Sequence, residues 1–255
     1  MKRYLKTISS EEALRKILEN VAPLKDEELL PVYKCRGRIS SRPVYAKISN
    51  PPFMCAAMDG YATSFEKTLN ADLSRPVSLK KGTDSLPVNT GDPLPGGTNA
   101  VVMVEDVEDS DSHIIIRKPV YLWQNVRMTG EDIIEGDMLI PANHTISAFD
   151  IGMIISGGVS HINIRKKPKT LIIPTGKELI DIYSPAEPLF KTGGLIDFNS
   201  HMLFNLAEDS GFEATISEIA GTKEGLQKKI EEATRKFDVV LINAGSSAGS
   251  EDFTE

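Results

Sequence analysis

Apolar residues recur at helical spacing in four stretches of the chain, which predicts four amphipathic helices. They are Ser9–Val21, Ser147–Ser156, Ser200–Asp209 and Lys223–Lys236. The first carries an apolar stripe made of Leu14, Ile17, Leu18 and Val21. Ser9 with Glu12 and Ser147 with Asp150 have the spacing of capping boxes, and Asn199 is the predicted cap of the third helix.

Between Phe53 and about Ile140 the pattern changes, because Gly and Pro separate short β-prone runs and no helical periodicity of any length occurs. This pattern predicts a compact all-β module. The predicted strands within and around it are Leu29–Cys35, Pro43–Ile48, Val77–Leu79, Ala100–Val104, His113–Arg117, Met138–Ile140 and His161–Arg165.

From Lys169 onward short apolar strands alternate with helices, which predicts a parallel sheet with flanking helices. The predicted strands are Thr170–Ile173, Glu213–Ile219 and Asp238–Ile242. The chain stops where the next helix is expected, so this domain is expected to be incomplete at its C-terminal end.

These changes of pattern predict three domains. Residues 51–140 form a small all-β domain, and if this domain is an insertion, residues 1–50 and 141–168 can join as one discontinuous N-terminal domain of α/β type. Residues 169–255 form an α/β domain with a mostly parallel sheet. The Pro51–Pro52 pair marks one boundary, since it disfavours regular structure.

Composition narrows the class of protein. The 255 residues carry a net charge of −7, which disfavours nonspecific nucleic-acid binding. No apolar run approaches the roughly 20 residues of a membrane helix, and the polar start lacks a signal-peptide core, so a cytoplasmic location is expected. Cys35 and Cys55 form no CxxC pair, which argues against a disulfide framework or a cysteine zinc site and favours two small buried or half-buried residues.

Two loops follow predicted strands of the parallel sheet, at the edge where such sheets bind ligands. Thr175, Gly176, Lys177 and Glu178 combine a hydroxyl, a close backbone approach, a cation and a carboxylate. The Gly245–Ser250 loop offers backbone N–H groups and hydroxyls that can hold an oxyanion. A flexible connection is the alternative interpretation of the second loop.

The β module contains three further polar loops, which carry Asp59, Thr90 and Asp132. From chemistry alone Asp59-Gly60 and Gly130-Glu131-Asp132 are first interpreted as turns. Carboxylates drawn together could instead hold Mg²⁺, which prefers hard oxygen ligands. None of the four histidines has metal-ligand spacing, and surface or packing roles are favoured for each of them.

Six motifs in order resemble those of the MoeA and gephyrin E-domain family of molybdenum-insertion enzymes. The stretches are Pro51–Ala62 (PPFMCAAMDGYA), Thr90–Asp106 (TGDPLPGGTNAVVMVED), Val126–Ile133 (VRMTGEDI), Thr175–Leu179 (TGKEL), Asp197–Ser200 (DFNS) and Gly245–Thr254. Together they extend over nearly the whole chain, so the resemblance is specific.

The resemblance implies a homodimer whose α/β domain is a three-layer molybdopterin-binding domain. It implies a transferase that takes adenylylated molybdopterin and molybdate, hydrolyses the adenylate with Mg²⁺, and leaves molybdenum on the dithiolene. The molybdopterin adenylyltransferase is a further expected partner. The active cleft is expected to be shared between subunits.

The resemblance also implies residue roles. Asp59, Thr90 and Asp132 would serve catalysis from the β domain, while Glu178 and Asp252 would be catalytic and hold Mg²⁺ on the α/β side. The residues expected to bind the pterin substrate are Thr175, Gly176, Lys177, Asn199, Ser200, Gly245, Ser246, Ser247 and Gly249.

The chain departs from the family pattern in ways that leave alternatives open. Lys177 stands where an acid is usual, and the chain ends before the basic segment expected to bind molybdate or phosphate. A non-catalytic molybdopterin-binding or scaffold module is therefore the second hypothesis. A Mg²⁺-dependent phosphoesterase is the third, although it explains the loops and not the ordered motifs.

Overall fold

The computed structural model describes residues 8–183 and 193–243. These residues belong to two compact units, the α/β unit (residues 8–28 and 164–243) and the β unit (residues 29–163). The described part contains four α-helices: α1 (Ser10–Asn20), α2 (Ala148–Ser156), α3 (Asn199–Asp209) and α4 (Lys223–Ala233). None of these is long and apolar enough to cross a membrane.

Seventeen strands are described. The first twelve are β1 (Glu27–Pro31), β2 (Val44–Tyr45), β3 (Cys55–Ala56), β4 (Gly60–Thr63), β5 (Val77–Lys80), β6 (Ser85–Val88), β7 (Ala100–Met103), β8 (Val107–Asp109), β9 (His113–Ile116), β10 (Val126–Arg127), β11 (Met138–Ile140) and β12 (His161–Arg165). The last five are β13 (Lys169–Pro174), β14 (Leu179–Ile180), β15 (Leu195–Ile196), β16 (Glu213–Ile216) and β17 (Val239–Asn243).

The β unit is built from small antiparallel sheets. One has the order β6-β4-β7 and another has the order β5-β9-β8. Strand pairs β3–β10 and β2–β11 are also antiparallel. Alternate residues of β9, Ile114 and Ile116, are almost fully buried, as expected when only one face of a sheet packs on a core.

The α/β unit contains a parallel sheet of order β16-β13-β17, with β13 in the centre. The β13 residues Ile172 and Ile173 are completely buried, as expected for a central strand covered on both faces. On one side Leu171 and Ile173 pack against Leu226 and Ala233 of α4. Burial of each such large apolar side chain contributes roughly 2 kcal/mol.

Helix starts agree with the sequence patterns at α1, α2 and α4. The Ser9 hydroxyl accepts the N–H of Glu12, and Ser147 with Asp150 forms both halves of a capping box. Thr222 caps α4 by accepting the N–H of Gly225. The prediction that Asn199 caps α3 is wrong, because Asn199 is already helical and Asp197 accepts the N–H of Ser200 instead.

Several predicted strands are shorter in the structure. After β1, residues Val32–Lys34 form a 3-10 helix rather than continuing the strand, and Val104–Asp106 form another after β7. The predicted strand Pro43–Ile48 is reduced to β2. The stretch predicted as Glu213–Ile219 forms a strand only as far as Ile216, and an isolated parallel bridge then joins Ala220 to Thr175.

The apolar stripe of α1 is exposed. Its members Leu14, Ile17, Leu18 and Val21 are each more than half exposed, and α1 buries no residue. The periodicity of α2 predicts that its apolar residues are buried together. Ile154 is buried, but Phe149 is 90% exposed. Periodicity therefore located these helices correctly without showing what covers their apolar faces.

Candidate functional site

Strand β3 organises the predicted site residues of the β unit. It pairs with β10, so that Arg127 lies opposite Cys55, and Ala56 exchanges backbone hydrogen bonds with the loop that contains Thr90. Asp59 follows directly and leads into β4. Asp59, Thr90 and Asp132 thus all lie on exposed loops beside this strand pair.

Asp59 and Thr90 contact each other. The carboxylate oxygen Oδ1 of Asp59 accepts the backbone N–H of Thr90 at 2.6 Å and its hydroxyl at 2.8 Å. The N–H bond first, and then the hydroxyl bond, holds the pKa of Asp59 below its ordinary value. Asp59 is therefore ionised at neutral pH. Its two hydrogen bonds hold the loop that contains Thr90 in place.

Gly60 is not the turn residue that an Asp-Gly pair suggests. It begins β4, and a Cβ at this position would lie 2.0 Å from the carbonyl oxygen of Val102 on β7. Gly130, in contrast, has a φ of +73° and does form a turn, which presents Glu131 and Asp132. Glycine thus serves close strand packing in one motif and backbone reversal in the other.

Asp132 is paired with Arg127. The guanidinium donates to its carboxylate at 2.6 Å, and the nearest contact of Arg127 with Glu131 is 3.7 Å. The hydrogen bond that Arg127 donates to Asp132 raises the pKa of Arg127 above its ordinary value. Both acids of the Gly-Glu-Asp motif therefore have a neighbouring cation within the unit.

In the α/β unit, three segments meet at the carboxyl edge of the parallel sheet. The Thr175 hydroxyl donates to the carbonyl of Asn243 at the end of β17, at 3.0 Å. The N–H of Gly176 donates to the carbonyl of Ala220, which precedes α4. The predicted ligand-binding loop is thus hydrogen-bonded to the end of β17 and to the segment between β16 and α4, and the Thr175 hydroxyl already serves as a structural donor.

Gly176 makes room for Glu178. Its φ is +142°, and a Cβ there would lie 2.7 Å from a carboxylate oxygen of Glu178. Lys177 and Glu178 are both exposed. Within residues 8–183 and 193–243 the Glu178 carboxylate has no hydrogen-bond or ion-pair partner, so it is available to a ligand.

The DFNS motif starts helix α3. Asp197 is only 6% exposed, and its Oδ1 accepts the N–H of Ser200 at 3.1 Å. Asn199 is half-buried, whereas Ser200 is completely buried and its hydroxyl has no hydrogen-bond partner in the described structure. Sequence reasoning selected Asn199 and Ser200 but missed Asp197, although a buried Asp before a helix start is a recognisable cap.

Comparison with known proteins decides the family. Residues 8–158 match the family described as "MoeA N-terminal region (domain I and II)", and residues 171–255 match one described as "Probable molybdopterin binding domain". The chain belongs to the MoeA family.

Relatives of this MoeA-family chain carry molybdopterin-related names. It is 32% identical to a protein of Methanocaldococcus jannaschii named for molybdopterin biosynthesis, covering 94% of this chain and 67% of the relative. It is 26% identical to a molybdopterin molybdenumtransferase of a Nostoc species, covering 91% of this chain and 56% of the relative. A MoeA-family crystal structure from Pyrococcus horikoshii superposes with a TM-score of 0.83 at 30% identity, covering 93% of this chain and 66% of that one.

The MoeA-family chain thus spans between about half and two thirds of the length of these relatives. Some predicted site residues lie outside the described residues, namely Gly245, Ser246, Ser247, Gly249 and Asp252. Their predicted roles in phosphate and Mg²⁺ binding stay predictions.

The described residues of this MoeA-family chain do not form a complete cation site. Nowhere in the described ranges do three His, Cys, Asp or Glu side chains lie together as a metal site requires. Glu178 supplies an exposed carboxylate, which is the ligand type that Mg²⁺ prefers. Because Mg²⁺ is commonly held by one or two carboxylates together with substrate phosphates, Glu178 fits as one of its ligands.

Proposed function

We propose that this chain acts in molybdenum cofactor biosynthesis as a molybdopterin molybdenumtransferase, transferring molybdenum from molybdate to adenylylated molybdopterin. The observation that carries the proposal is that two families related to this pathway match the chain consecutively, over residues 8–158 and 171–255. The relatives that carry these names are longer, and this chain covers 67% and 56% of the length of two of them.

The carboxyl edge of the parallel sheet supports binding of a phosphorylated substrate. The segments around Gly176, Ala220 and Asn243 meet there, and α4 begins at the same edge. Helix starts favour anions because their first N–H groups have no partner within the helix. Glu178 lies beside this edge, and its carboxylate accepts no hydrogen bond from residues 8–183 or 193–243, so it can hold a cation or orient water.

Magnesium is part of the proposal. Glu178 and Asp252 would hold the ion, which would neutralise charge on the phosphoanhydride oxygens of the adenylate. Independently of the ion, Lys177 is an exposed cation next to Glu178 and can draw an anionic substrate toward the loop.

The proposal is tested by measuring molybdenum insertion with the full chain, molybdate, Mg²⁺ and adenylylated molybdopterin. Activation of an apo-molybdoenzyme by the product is the readout, and calorimetry measures molybdopterin binding in parallel. Glu178→Gln should abolish insertion while leaving the urea unfolding midpoint unchanged. Glu232→Gln, the same change on the exposed side of α4, is the matched control. Full insertion by Glu178→Gln, or no molybdopterin binding by the unaltered chain, contradicts the proposal.

A non-catalytic molybdopterin-binding module is the second candidate, favoured by the fact that the chain covers 56% of the length of one molybdenumtransferase relative. The insertion assay and the calorimetric measurement of molybdopterin binding distinguish this module from a transferase. Molybdopterin binding without insertion by the unaltered chain supports the module and excludes independent catalysis.

A homodimer is also part of the proposal, and the exposed stripe of α1 supports it, because such a stripe is covered in stable assemblies. Analytical ultracentrifugation should show a dimer that Leu18→Gln weakens. Lys16→Gln places the same side chain on the polar side of α1, where Lys16 pairs with Glu12, and should leave the dimer intact. A monomeric unaltered chain contradicts this proposal.

A further inference from the structure

Asn125 joins two separate pieces of the β unit. Its side-chain amide donates to the backbone carbonyl of Val101 on β7 at 3.0 Å. Its own backbone carbonyl accepts the N–H of Ala57, the first residue after β3, at 2.8 Å. Strand β7 lies in the sheet β6-β4-β7, whereas β3 pairs with β10. The side chain and the main chain of this one residue therefore bind segments that belong to different sheets.

The backbone conformation of Asn125 allows this double contact. Its φ is +55°, in the left-handed region, which asparagine enters more readily than most residues that have a side chain. The preceding carbonyl, that of Gln124, accepts the N–H of Val101 at 3.0 Å. The chain thus leaves β7 at Gln124 and reaches β3 at Asn125. This crossing needs a left-handed residue with a side-chain donor, and asparagine supplies both.

The bond from Asn125 to β7 is made at the edge of a core. Val101 is completely buried, and it packs in one cluster with Ala56 of β3 and with Ala62 and Val88. A buried carbonyl that loses its donor is costly, so the chain favours the arrangement in which the Asn125 amide stays on Val101. Asn125 therefore fixes the distance between β3 and β7 where both strands border the same core.

The loop that Asn125 holds contains Asp59. Residues 57–59 alone connect β3 to β4. At the start of this loop the N–H of Ala57 is bonded to Asn125, and at its end the carbonyl of Asp59 accepts the N–H of Val104 at 3.0 Å. A three-residue connection that is bonded at both ends has little freedom. The position of the Asp59 carboxylate consequently depends on where Asn125 places Ala57.

The contact that depends on this placement is the one between Asp59 and Thr90. Both hydrogen bonds from Thr90 end on the same carboxylate oxygen, Oδ1. Asp59 and Thr90 are both exposed, so no core surrounds their contact and keeps it aligned. Hydrogen bonds weaken steeply when their geometry is distorted, and a shift of the loop would weaken both at once.

We propose that Asn125 is a positioning residue for the proposed reaction, and that it holds the loop of residues 57–59 so that the Asp59 carboxylate stays bonded to Thr90. This inference rests on the proposed function and adds a residue to it. Asn125 bonds to Ala57 and Val101 rather than to Asp59, so it acts through the loop. Misplacement of a reacting group by about 1 Å can lower a rate by about a hundredfold.

Asn125→Gly tests the proposal, because glycine keeps the left-handed backbone and removes the side-chain donor. The Asp59 carboxyl is followed by carbon-detected NMR titration of the full chain, with its signal assigned from Asp59→Asn. The bonds from Thr90 lower the pKa of Asp59, so this pKa should rise in Asn125→Gly as they weaken. Thr90→Val removes the hydroxyl bond directly and should raise the same pKa, which gives the reference shift.

Asn143→Gly is the matched control, since Asn143 is also left-handed, with a φ of +59°, and belongs to the same unit. Its backbone N–H donates to the carbonyl of Ser40. This change should leave the pKa of Asp59 where it is. An unchanged pKa in Asn125→Gly, or an equal rise in the two glycine variants, overturns the proposal.

The insertion assay gives the second readout. In Asn125→Gly the kcat should fall at least about tenfold, while the KM for adenylylated molybdopterin should stay within about twofold, because a misplaced group mainly loses transition-state interactions. Asn125→Asp also tolerates the left-handed backbone but cannot donate to Val101, and it should lower kcat in the same way. A kcat in both Asn125 variants equal to that of Asn143→Gly overturns the role in the reaction.

The two readouts separate failure of this inference from failure of the proposed function. If the unaltered chain inserts no molybdenum but Asn125→Gly raises the pKa of Asp59, the proposed function is overturned and the placement of Asp59 by Asn125 stands. If the unaltered chain inserts molybdenum and Asn125→Gly changes neither the pKa of Asp59 nor kcat, the proposed function stands and this inference is overturned.

Discussion

The two units hold their candidate site carboxylates in different ways. In the β unit Asp59 is bonded to Thr90 and Asp132 to Arg127, with contacts of 2.6 Å in both pairs. In the α/β unit Glu178 has no partner in the described structure, and Asp197 uses a single acceptor position. The first unit fixes its acids with its own atoms, whereas the second leaves acceptor capacity for a ligand.

This difference predicts different consequences of mutation. Where a carboxylate is bonded to its own loop, removing it disturbs the loop and reduces stability as well as any activity. Where it has few partners, removing it affects binding and leaves the fold largely unchanged. Changes in the β unit should therefore appear in unfolding curves, and changes at Glu178 should appear in ligand assays.

The largest expected effect on stability is that of Gly60→Ala. The new Cβ would lie 2.0 Å from the backbone oxygen of Val102, so β4 and β7 must separate. We expect a loss of about 3 kcal/mol, at the upper end of overpacking effects. Urea unfolding followed by tryptophan fluorescence reports the β unit, because the only tryptophan, Trp123, belongs to it.

Two further glycines serve as controls. Gly194→Ala in the α/β unit would meet the side-chain tip of Ile180 at 1.9 Å, which can move, so we expect about 1 kcal/mol. Gly96→Ala has nothing within 4 Å and should cost less than about 0.5 kcal/mol. Equal losses for Gly60→Ala and Gly96→Ala would contradict the close packing of β4 on β7.

The second-largest expected effect is a loss of folding stability at acidic pH. Among the described carboxyl groups with a lowered pKa, Glu208 is in the α/β unit and the others are in the β unit. Those of the β unit are Asp59, Glu66, Asp72, Asp84, Glu108, Asp109 and Asp150. A lowered folded-state pKa gives stability above the unfolded-state value, and this stability is lost as the pH falls through the folded-state value. Below about pH 4.5 the β unit should therefore lose stability faster than the α/β unit.

Two optical probes separate the units in this experiment. Tryptophan fluorescence reports the β unit, while circular dichroism at 222 nm mainly reports the α/β unit, which contains α1, α3 and α4. Urea midpoints measured by fluorescence should fall more steeply between pH 6 and pH 3 than those measured by circular dichroism. Replacing Asp59 by Asn should reduce the slope of the fluorescence series. Parallel slopes for the two probes would show that the units do not differ in this way.

Local chemistry in the sequence predicted much of the fold. The starts of α1 and α2 follow from Ser9 and Ser147, because cap side chains act within three residues, whereas the Thr222 cap of α4 was not predicted. Two-residue strands such as β3 and β10 could not be predicted, since pairing with a distant segment creates them. For the same reason the end of β16 depends on β13, its partner in the sheet.

The sequence motifs predict which residues belong to the candidate site, but they do not predict which of these residues contact each other. Thr175, Gly176 and Glu178 were chosen because loops after parallel strands bind ligands, and they do lie at that edge. The Asp59–Thr90 bond joins positions 31 residues apart, which no local pattern indicates. The sequence favours a surface or packing role for His201, and it does not predict the contact with Tyr183 because that contact depends on how α3 is placed.

A smaller effect is expected from Ser147→Ala at the start of α2. Ser147 and Asp150 cap the helix reciprocally, and Asp150 also lies 2.9 Å from His144. Loss of the hydroxyl leaves one first-turn N–H without its partner, so the β unit should lose about 1 kcal/mol. Ser147→Asp, which retains a cap acceptor, should recover most of this loss in the same urea titration.

The smallest effect is expected from Ser9→Ala, although Ser9 also caps a helix. Helix α1 buries no residue, so it can fray without opening a core, and the free energy of unfolding should fall by less than about 0.5 kcal/mol. The control is Ser147→Ala, whose helix buries Ile154. A loss of about 1 kcal/mol for Ser9→Ala at high protein concentration, absent on dilution, would mean that α1 is packed against a second copy. The same cap would then stabilise an interface rather than a single helix.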